Sequence, residues 1–341
     1  MTSADNKTIT LCARPNGWVL PEHFALERRD APTLSGSADG KVVVRTLYLS
    51  VDPYMRGRMN DAKSYVAPFE LGKPILSAAI GEVVAAPPAS KFEVGARVSG
   101  MWGWQELALV DEKALRLTLP GVPLPLQLGL LGMPGMTAYV GLLDIGKPKP
   151  GETVFVSGAA GAVGSTVGQL AKLHGCRAVG SAGSDEKVRY LLDELGFDAA
   201  YNYKTCGDQR RKLRELCPSG IDVYFDNVGG ETLEAALFNV NIHARIPVCG
   251  MVSVYNEAEP AAGPRNLMLL VQQRVLVQGF LVSDHGARAK QFGADMSRWL
   301  SEGKLKHRET IVDGIEQAPA ALIGMLRGQN VGKMLVRVAQ E

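Results

Sequence analysis

Thr153-Val154-Phe155-Val156-Ser157-Gly158-Ala159-Ala160-Gly161-Ala162-Val163-Gly164 decides how this chain folds. The apolar, largely β-branched start reads as a buried strand, and the small residues behind it read as a turn into a helix that carries Gly168, Leu170 and Ala171. A loop without bulky side chains lets backbone amides approach a pyrophosphate, while the positive end of the following helix stabilises its charge. Gly164 would let that helix pack closely on the sheet. The spacing is Gly-x-x-Gly-x-x-Gly, not the commoner Gly-x-Gly-x-x-Gly, so a merely tight strand-to-helix turn is the competing reading.

Outward from this motif, strand-like runs alternate with helix-length amphipathic segments. Strands are readable at 178–181, 223–226, 245–249 and 275–280, helices begin near 163, 185, 233 and 264, and a last helix spans 290–302. That order predicts an α/β, doubly wound parallel sheet. Upstream, β-branched runs at 42–50, 80–86 and 106–110 lie between glycines and prolines without helical period, which predicts an all-β unit of barrel or sandwich type. The segment from 304 to the last strand at 334–338 reads as a return to this first domain. The predicted division is 1–128 with 311–341, and 129–310.

Composition bounds the function. A length of 341 residues, 46% hydrophobic and 21% charged, fits two ordinary globular domains. Lysine plus arginine total 37 against 35 aspartate plus glutamate, so no basic stripe offers itself to nucleic acid. Five cysteines without a Cys-x-x-Cys pair point to a reducing compartment, and the first fifteen residues hold no apolar run of signal-peptide length; both predict the cytoplasm. Residues 121–143 carry no charge, but Pro123, Pro125, Pro134 and five glycines would break a membrane-spanning helix. A buried loop leading into a core helix explains the segment instead.

Cofactor choice follows from what is missing. An NAD-binding unit places an acid at the end of its second strand for the ribose hydroxyls, and here that place reads Gly180-Ser181-Ala182-Gly183. Ser184-Asp185-Glu186-Lys187 then supplies a capping hydroxyl and a cation, which suits a 2′-phosphate and so NADPH. A surface Lys187 paired with Asp185 or Glu186 is the alternative, and those two acids keep NAD open. No zinc-ligand set is evident: His23, His174, His243, His285 and His307 are scattered, and Gly132-Met133-Pro134 has a thioether where a thiolate would be needed. Charge developing on a substrate oxygen must then be met by tyrosine hydroxyls or the cofactor's ribose hydroxyl.

Several longer motifs carry a resemblance over nearly the whole chain. They are Thr46-Leu47-Tyr48-Leu49-Ser50-Val51-Asp52-Pro53-Tyr54-Met55-Arg56, Gly132-Met133-Pro134-Gly135-Met136-Thr137-Ala138-Tyr139, Tyr224-Phe225-Asp226-Asn227-Val228-Gly229-Gly230, Cys249-Gly250 with Ser253 and Tyr255-Asn256, and Asn330-Val331-Gly332-Lys333. With them the chain resembles the zinc-independent branch of the medium-chain dehydrogenase/reductase superfamily: prostaglandin reductases, leukotriene dehydrogenases, 2-alkenal reductases and, nearest in phrasing, curcumin reductases. The resemblance implies a GroES-like β-barrel catalytic domain beside a Rossmann domain. It implies NADPH contacts at Gly161, Ala162, Val163, Gly164, Lys187, Tyr203, Asn227, Cys249, Gly250, Met251, Ser253, Tyr255, Phe280, Leu281, Val282 and Asn330.

The implied activity is reduction of the carbon-carbon double bond of enones and enals. Tyr255 matches the family's tyrosine beside the nicotinamide and is the expected oxyanion donor, with a structural tyrosine packed under the cofactor as the alternative. Tyr54 and Tyr65 are expected to shape the substrate pocket, and Met101-Trp102 matches the stretch that borders substrate. Two segments depart from the family, Ile75-Leu76-Ser77-Ala78-Ala79, where glycines are common, and Met101-Trp102-Gly103-Trp104. A homodimer is expected from the resemblance and from the β-rich run 274–282, placed near a sheet edge. A quinone reductase and a non-catalytic nucleotide-binding protein stay open as alternatives.

Overall fold

A computed structural model describes residues 5–34, 40–259 and 261–341. They fall into two units, Met1–Leu128 with Glu309–Asn330 and Met334–Glu341, and Gly129–Arg308 with Val331–Lys333. In the first unit, β1 (Asp5–Leu11) pairs antiparallel with β2 (Phe24–Asp30). The organising strand is β3 (Lys41–Ser50), whose alternation is overridden by burial of almost every residue. Along one edge it pairs antiparallel with β4 (Leu76–Ala85), which is followed outward by β5 (Arg97–Gly103). On the other edge its first half, Lys41 to Arg45, pairs with β6 (Leu107–Asp111). A short β7 (Arg116–Leu117) pairs with β5.

The second unit is built on six strands: β8 (Thr153–Val156), β9 (Arg177–Ala182), β10 (Ala199–Asn202), β11 (Ile221–Phe225), β12 (Val240–Val248) and β13 (Leu276–Gly279). Their order is β10-β9-β8-β11-β12-β13 and every pairing is parallel. All four residues of β8 are buried, as a central strand covered on both faces requires. Phe155 stacks on Tyr224 at 4.9 Å on one face, while Val154 and Val156 join the core of the other face with Tyr139 and Leu170. Chain order reverses between β8 and β11, which makes their carboxyl ends the switch point where parallel sheets bind ligands.

The charge-free stretch 121–143 contains the helix Met133–Val140, buried at all positions after Met133. No helix among the described residues is long and apolar enough to cross a membrane. The chain returns to the first unit through β14 (Glu309–Asp313) and β15 (Lys333–Arg337). Strand β15 pairs antiparallel with Tyr48 to Ser50, filling the half of β3 that β6 leaves open. The core of this unit gathers Leu11, Leu49, Met55, Trp104 and Leu322.

Candidate nucleotide and substrate sites

The motif after β8 forms the predicted turn. Gly161 caps the helix Ala162–Leu173 with extended backbone and no side-chain hydrogen bond, so the first amides of that helix meet no capping side chain. A Cβ on Gly164 would fall 2.5 Å from the Gly158 carbonyl oxygen and 2.7 Å from Ala159 Cα, so only glycine lets the helix sit this close to the loop. The amide of Gly332 donates to the Ala160 carbonyl at 2.8 Å, which stitches the run that begins at Asn330 onto the glycine loop. An N-terminus held this way, with backbone donors and a positive dipole end, fits a pyrophosphate.

At the end of β9 the chain turns through Gly183 into the helix Asp185–Arg189, whose cap Ser184 accepts from the Lys187 amide at 3.3 Å. A Cβ on Gly183 would lie 3.1 Å from Tyr203 Oη and 3.4 Å from Lys204 Cε. The space an acidic side chain would need is therefore filled from the next strand end. Lys187 is half-buried, and its ammonium is held below the usual lysine range first by burial and then by the like charge of Lys204. Of the two acids that kept NAD open, Asp185 is engaged by Asn202, while Glu186 still acts on Lys187 and favours its cation. Asp185 accepts from Asn202 Nδ2 at 2.8 Å, and Glu186 lies 3.8 Å from Arg308. Sequence reading missed Lys204, because its position depends on β10, a strand without a β-branched residue.

At the carboxyl ends of β8, β11 and β12 the polar groups close on one another. Asp226 Oδ1 accepts from Tyr224 Oη at 2.6 Å, from the amides of Val228 and Gly229 at 2.9 and 2.8 Å, and from Ser157 Oγ at 3.2 Å. Asn227 donates from Nδ2 to the Ser157 carbonyl at 2.8 Å, and its own carbonyl accepts from the Val252 amide. The amides of Cys249 and Gly250 donate to the Asp226 carbonyl. Burial, with Asp226 nearby, pushes the Cys249 thiol up to about 12, so it stays protonated.

The loop after β12 then folds back. Ser253 bonds the Val228 carbonyl through both its amide and its hydroxyl, and Tyr255 Oη accepts from the Met251 amide at 3.3 Å. The phenol thus rests on the backbone of residues 250–251. Phe280 is a packing residue, edge-on to Phe225 and His285, and it leads through Leu281 and Val282 into the 3-10 helix Val282–Arg288. The structure thus collects Asn227, Cys249, Gly250, Met251, Ser253 and Tyr255 at one sheet end.

In the other unit, Tyr54 opens the helix Tyr54–Arg58 and Tyr65 is exposed. Met101 and Trp102 part company. Met101 is 48% exposed, but Trp102 is 3% exposed and donates from Nε1 to Thr46 Oγ1 at 2.9 Å inside the core. Consecutive strand residues face opposite ways, so only Met101 stays at the surface and Trp102 drops out as a pocket residue. Among the described residues no three His, Cys, Asp or Glu side chains gather as a metal cage.

Comparison with known proteins agrees with this geometry. Residues 7–117 match the family described as N-terminal domain of oxidoreductase, and residues 162–302 match the one described as zinc-binding dehydrogenase. The chain is 49% identical over 340 residues to the putative NADP-dependent oxidoreductase YfmJ of Bacillus subtilis, covering 99% of each. It is 44% identical over 341 residues to the NADPH-dependent curcumin reductase of Escherichia coli, covering 98% of this chain and 97% of the other. The crystal structure of CurA in complex with NADPH from Vibrio vulnificus superposes with a TM-score of 0.92 at 43% identity, over 98% of this chain and all of that one. Glycine loop, acid-free strand end and near full-length identity converge: the chain belongs to the medium-chain dehydrogenase/reductase superfamily, in the branch of curcumin, 2-alkenal and prostaglandin reductases.

Proposed function

We propose that the chain is an NADPH-dependent reductase of the carbon-carbon double bond in α,β-unsaturated ketones and aldehydes. The observation that carries the cofactor is the strand end at Gly183, where an acid is replaced by Tyr203 and two converging lysines. Its Escherichia coli relative is an NADPH-dependent curcumin reductase, and its Vibrio vulnificus neighbour was solved with NADPH. The residues present fit that group: the helix start at Gly161 to Gly164 for the pyrophosphate, Lys187, Tyr203 and Lys204 for the 2′-phosphate, and the loop Cys249 to Tyr255 for the nicotinamide half.

The chemistry NADPH would supply when bound is a hydride for the substrate's β-carbon. Charge then moves onto the carbonyl oxygen, and Tyr255 donates its hydroxyl hydrogen bond there, held in place by the Met251 amide. Solvent returns a proton to the α-carbon, which completes the saturated carbonyl product. Asn227 braces the loops from beneath through Ser157. Adding an enone to enzyme and NADPH, with the product identified, tests the reading. A saturated ketone supports it; an allylic alcohol with the double bond intact overturns it, and consumption of NADPH by quinones alone would make the chain a quinone reductase.

Two finer points belong to the same proposal. The enzyme works as a homodimer in the cytoplasm. Strand β13 ends the sheet with all four residues exposed, Leu276 and Val277 among them, and the preceding helix Met268–Gln273 buries none of its residues. A second copy paired edge to edge would cover that strand. Light scattering at micromolar concentration should give twice the chain mass, and a monomer would count against it.

A further inference from the structure

The chain reaches Arg308 on a backbone fixed from two sides. Gln169, buried on the helix Ala162–Leu173, donates from Nε2 to the Lys306 carbonyl at 3.0 Å and accepts from the Lys306 amide at 2.7 Å. The Arg308 carbonyl then accepts from the Lys333 amide at 3.0 Å. A Cβ on Gly332 would fall 1.8 Å from that carbonyl oxygen, so only glycine allows the approach. Because the Gly332 amide donates to the Ala160 carbonyl, the main chain at Arg308 is tied to the glycine loop and to the helix it opens.

From that anchor the side chain reaches toward the other end of the nucleotide site. Its Nη2 lies 3.8 Å from Glu186 Oε1, its Nη1 lies 3.8 Å from Glu194 Oε1, and the guanidinium stands 5.5 Å from the centre of the Tyr190 ring. Glu186 is in the first turn of the helix Asp185–Arg189, and Tyr190 and Glu194 belong to the π-helix Tyr190–Glu194 that continues it. All three contacts therefore fall on the element that carries Lys187. The charges acting on Lys187 are those of Lys204 and Glu186, so Arg308 reaches it through Glu186. Ion pairs this exposed add little to stability, and the consequence of this one is where it puts charge. A carboxylate beside Lys187 repels the phosphate that the lysines attract, and Arg308 is the cation that offsets it.

We propose that Arg308 is a positioning residue for cofactor choice: it draws Glu186 aside and cancels its charge, so that the 2′-phosphate of NADPH meets Lys187 and Lys204 without a competing carboxylate. The fixed backbone gives the guanidinium a defined reach, and the Tyr190 ring supports it on the way. One residue thereby links the pyrophosphate end of the site, through its main chain, to the 2′-phosphate end, through its side chain. This deepens the NADPH reading and rests on it for the phosphate beside Gly183.

The test pairs 2′,5′-ADP with 5′-AMP, two probes that differ only in the 2′-phosphate, in calorimetry of the full chain at low salt. Arg308→Gln should lower the preference for 2′,5′-ADP by about 2- to 5-fold, through weaker binding of that probe alone, and Arg308→Lys should keep most of the preference. Glu186→Gln made in the Arg308→Gln protein should restore the preference, whereas in the presence of Arg308 it should change it by less than about 2-fold. A loss that Glu186→Gln does not restore overturns the proposal, because Arg308 would then act by some route other than Glu186. Equal weakening of both probes also overturns it, making Arg308 a structural anchor only, and so does a preference that Arg308→Gln leaves intact. If the unaltered protein binds 2′,5′-ADP no better than 5′-AMP, the phosphate site beside Gly183 falls first, and the role of Arg308 falls with it.

Discussion

The ends of β8 and β9 are neighbours in one sheet, and they handle polar groups in opposite ways. Beside β8, Asp226 Oδ1 collects two amides and two hydroxyls, and Ser157 and Asn227 tie the next loops to the same knot. Even Asp226 Oδ2, which has no partner, is sealed from solvent. Beside β9, burial and the like charge of Lys204 lower Lys187 while Glu186 acts the other way, and Tyr203 with Lys204 lies against Gly183. The first region is finished without a ligand and holds the loops in shape. The second brings two lysines under each other's influence, which would favour an anion such as phosphate.

If the knot is scaffold, breaking it should have the largest effect and act on stability. Asp226→Ala should cost about 3 to 5 kcal/mol, since it strands buried donors, and Asp226→Asn, which keeps an acceptor, should cost less. Denaturant midpoints of the two variants check this, and an unaltered midpoint in Asp226→Ala would make the network incidental. Tyr255 leans on that scaffold and should act on rate. Tyr255→Phe should lower kcat by roughly 10²- to 10³-fold while NADPH affinity changes little, because only the hydroxyl is removed. A wild-type rate of enone reduction in this variant would return Tyr255 to a packing role.

The region beside β9 should respond through affinity instead. Lys187→Ala should weaken NADPH binding about 10- to 150-fold and leave NADH nearly untouched. Lys204→Ala, at an exposed site, should cost no more than about 1 kcal/mol and should lose that effect in high salt. Equal weakening of both cofactors by Lys187→Ala would break the contrast between the two strand ends.

The smallest effect is one of pH. Burial and Lys204 lower the Lys187 pKa in the free protein, whereas a bound phosphate favours its cation. NADPH affinity should therefore be full below that lowered value and fall as pH rises through it, beginning below the ordinary lysine value of 10.5. Fluorescence titrations at alkaline pH would show the fall, and Lys187→Arg should move it beyond the accessible range. A flat profile would mean that Lys187 does not touch the phosphate.

How far the sequence could be read differed between the units. In the parallel sheet, β8, β9 and β11 were legible because central strands buried on both faces are continuous apolar runs. Strand β10, Ala-Ala-Tyr-Asn, was not, since its extended backbone depends on pairing with β9 and not on local preference. In the first unit β1 and β2 went unread for a related reason. No residue of β2 is buried, and β1, though mostly buried, is held also by segments far along the chain, as the bond from the Ile9 amide to the Trp104 carbonyl shows.

The chain by itself determined the glycine turn, the helix it opens and the absence of an acid before Ser184. These depend on a few adjacent residues whose size and backbone freedom act locally. Tertiary structure alone decided that Tyr203 and Lys204 occupy the gap at Gly183, and that Trp102 turns inward while Met101 turns out. Each of those outcomes depends on which distant segments meet, and burial and charge pairing are properties of the meeting.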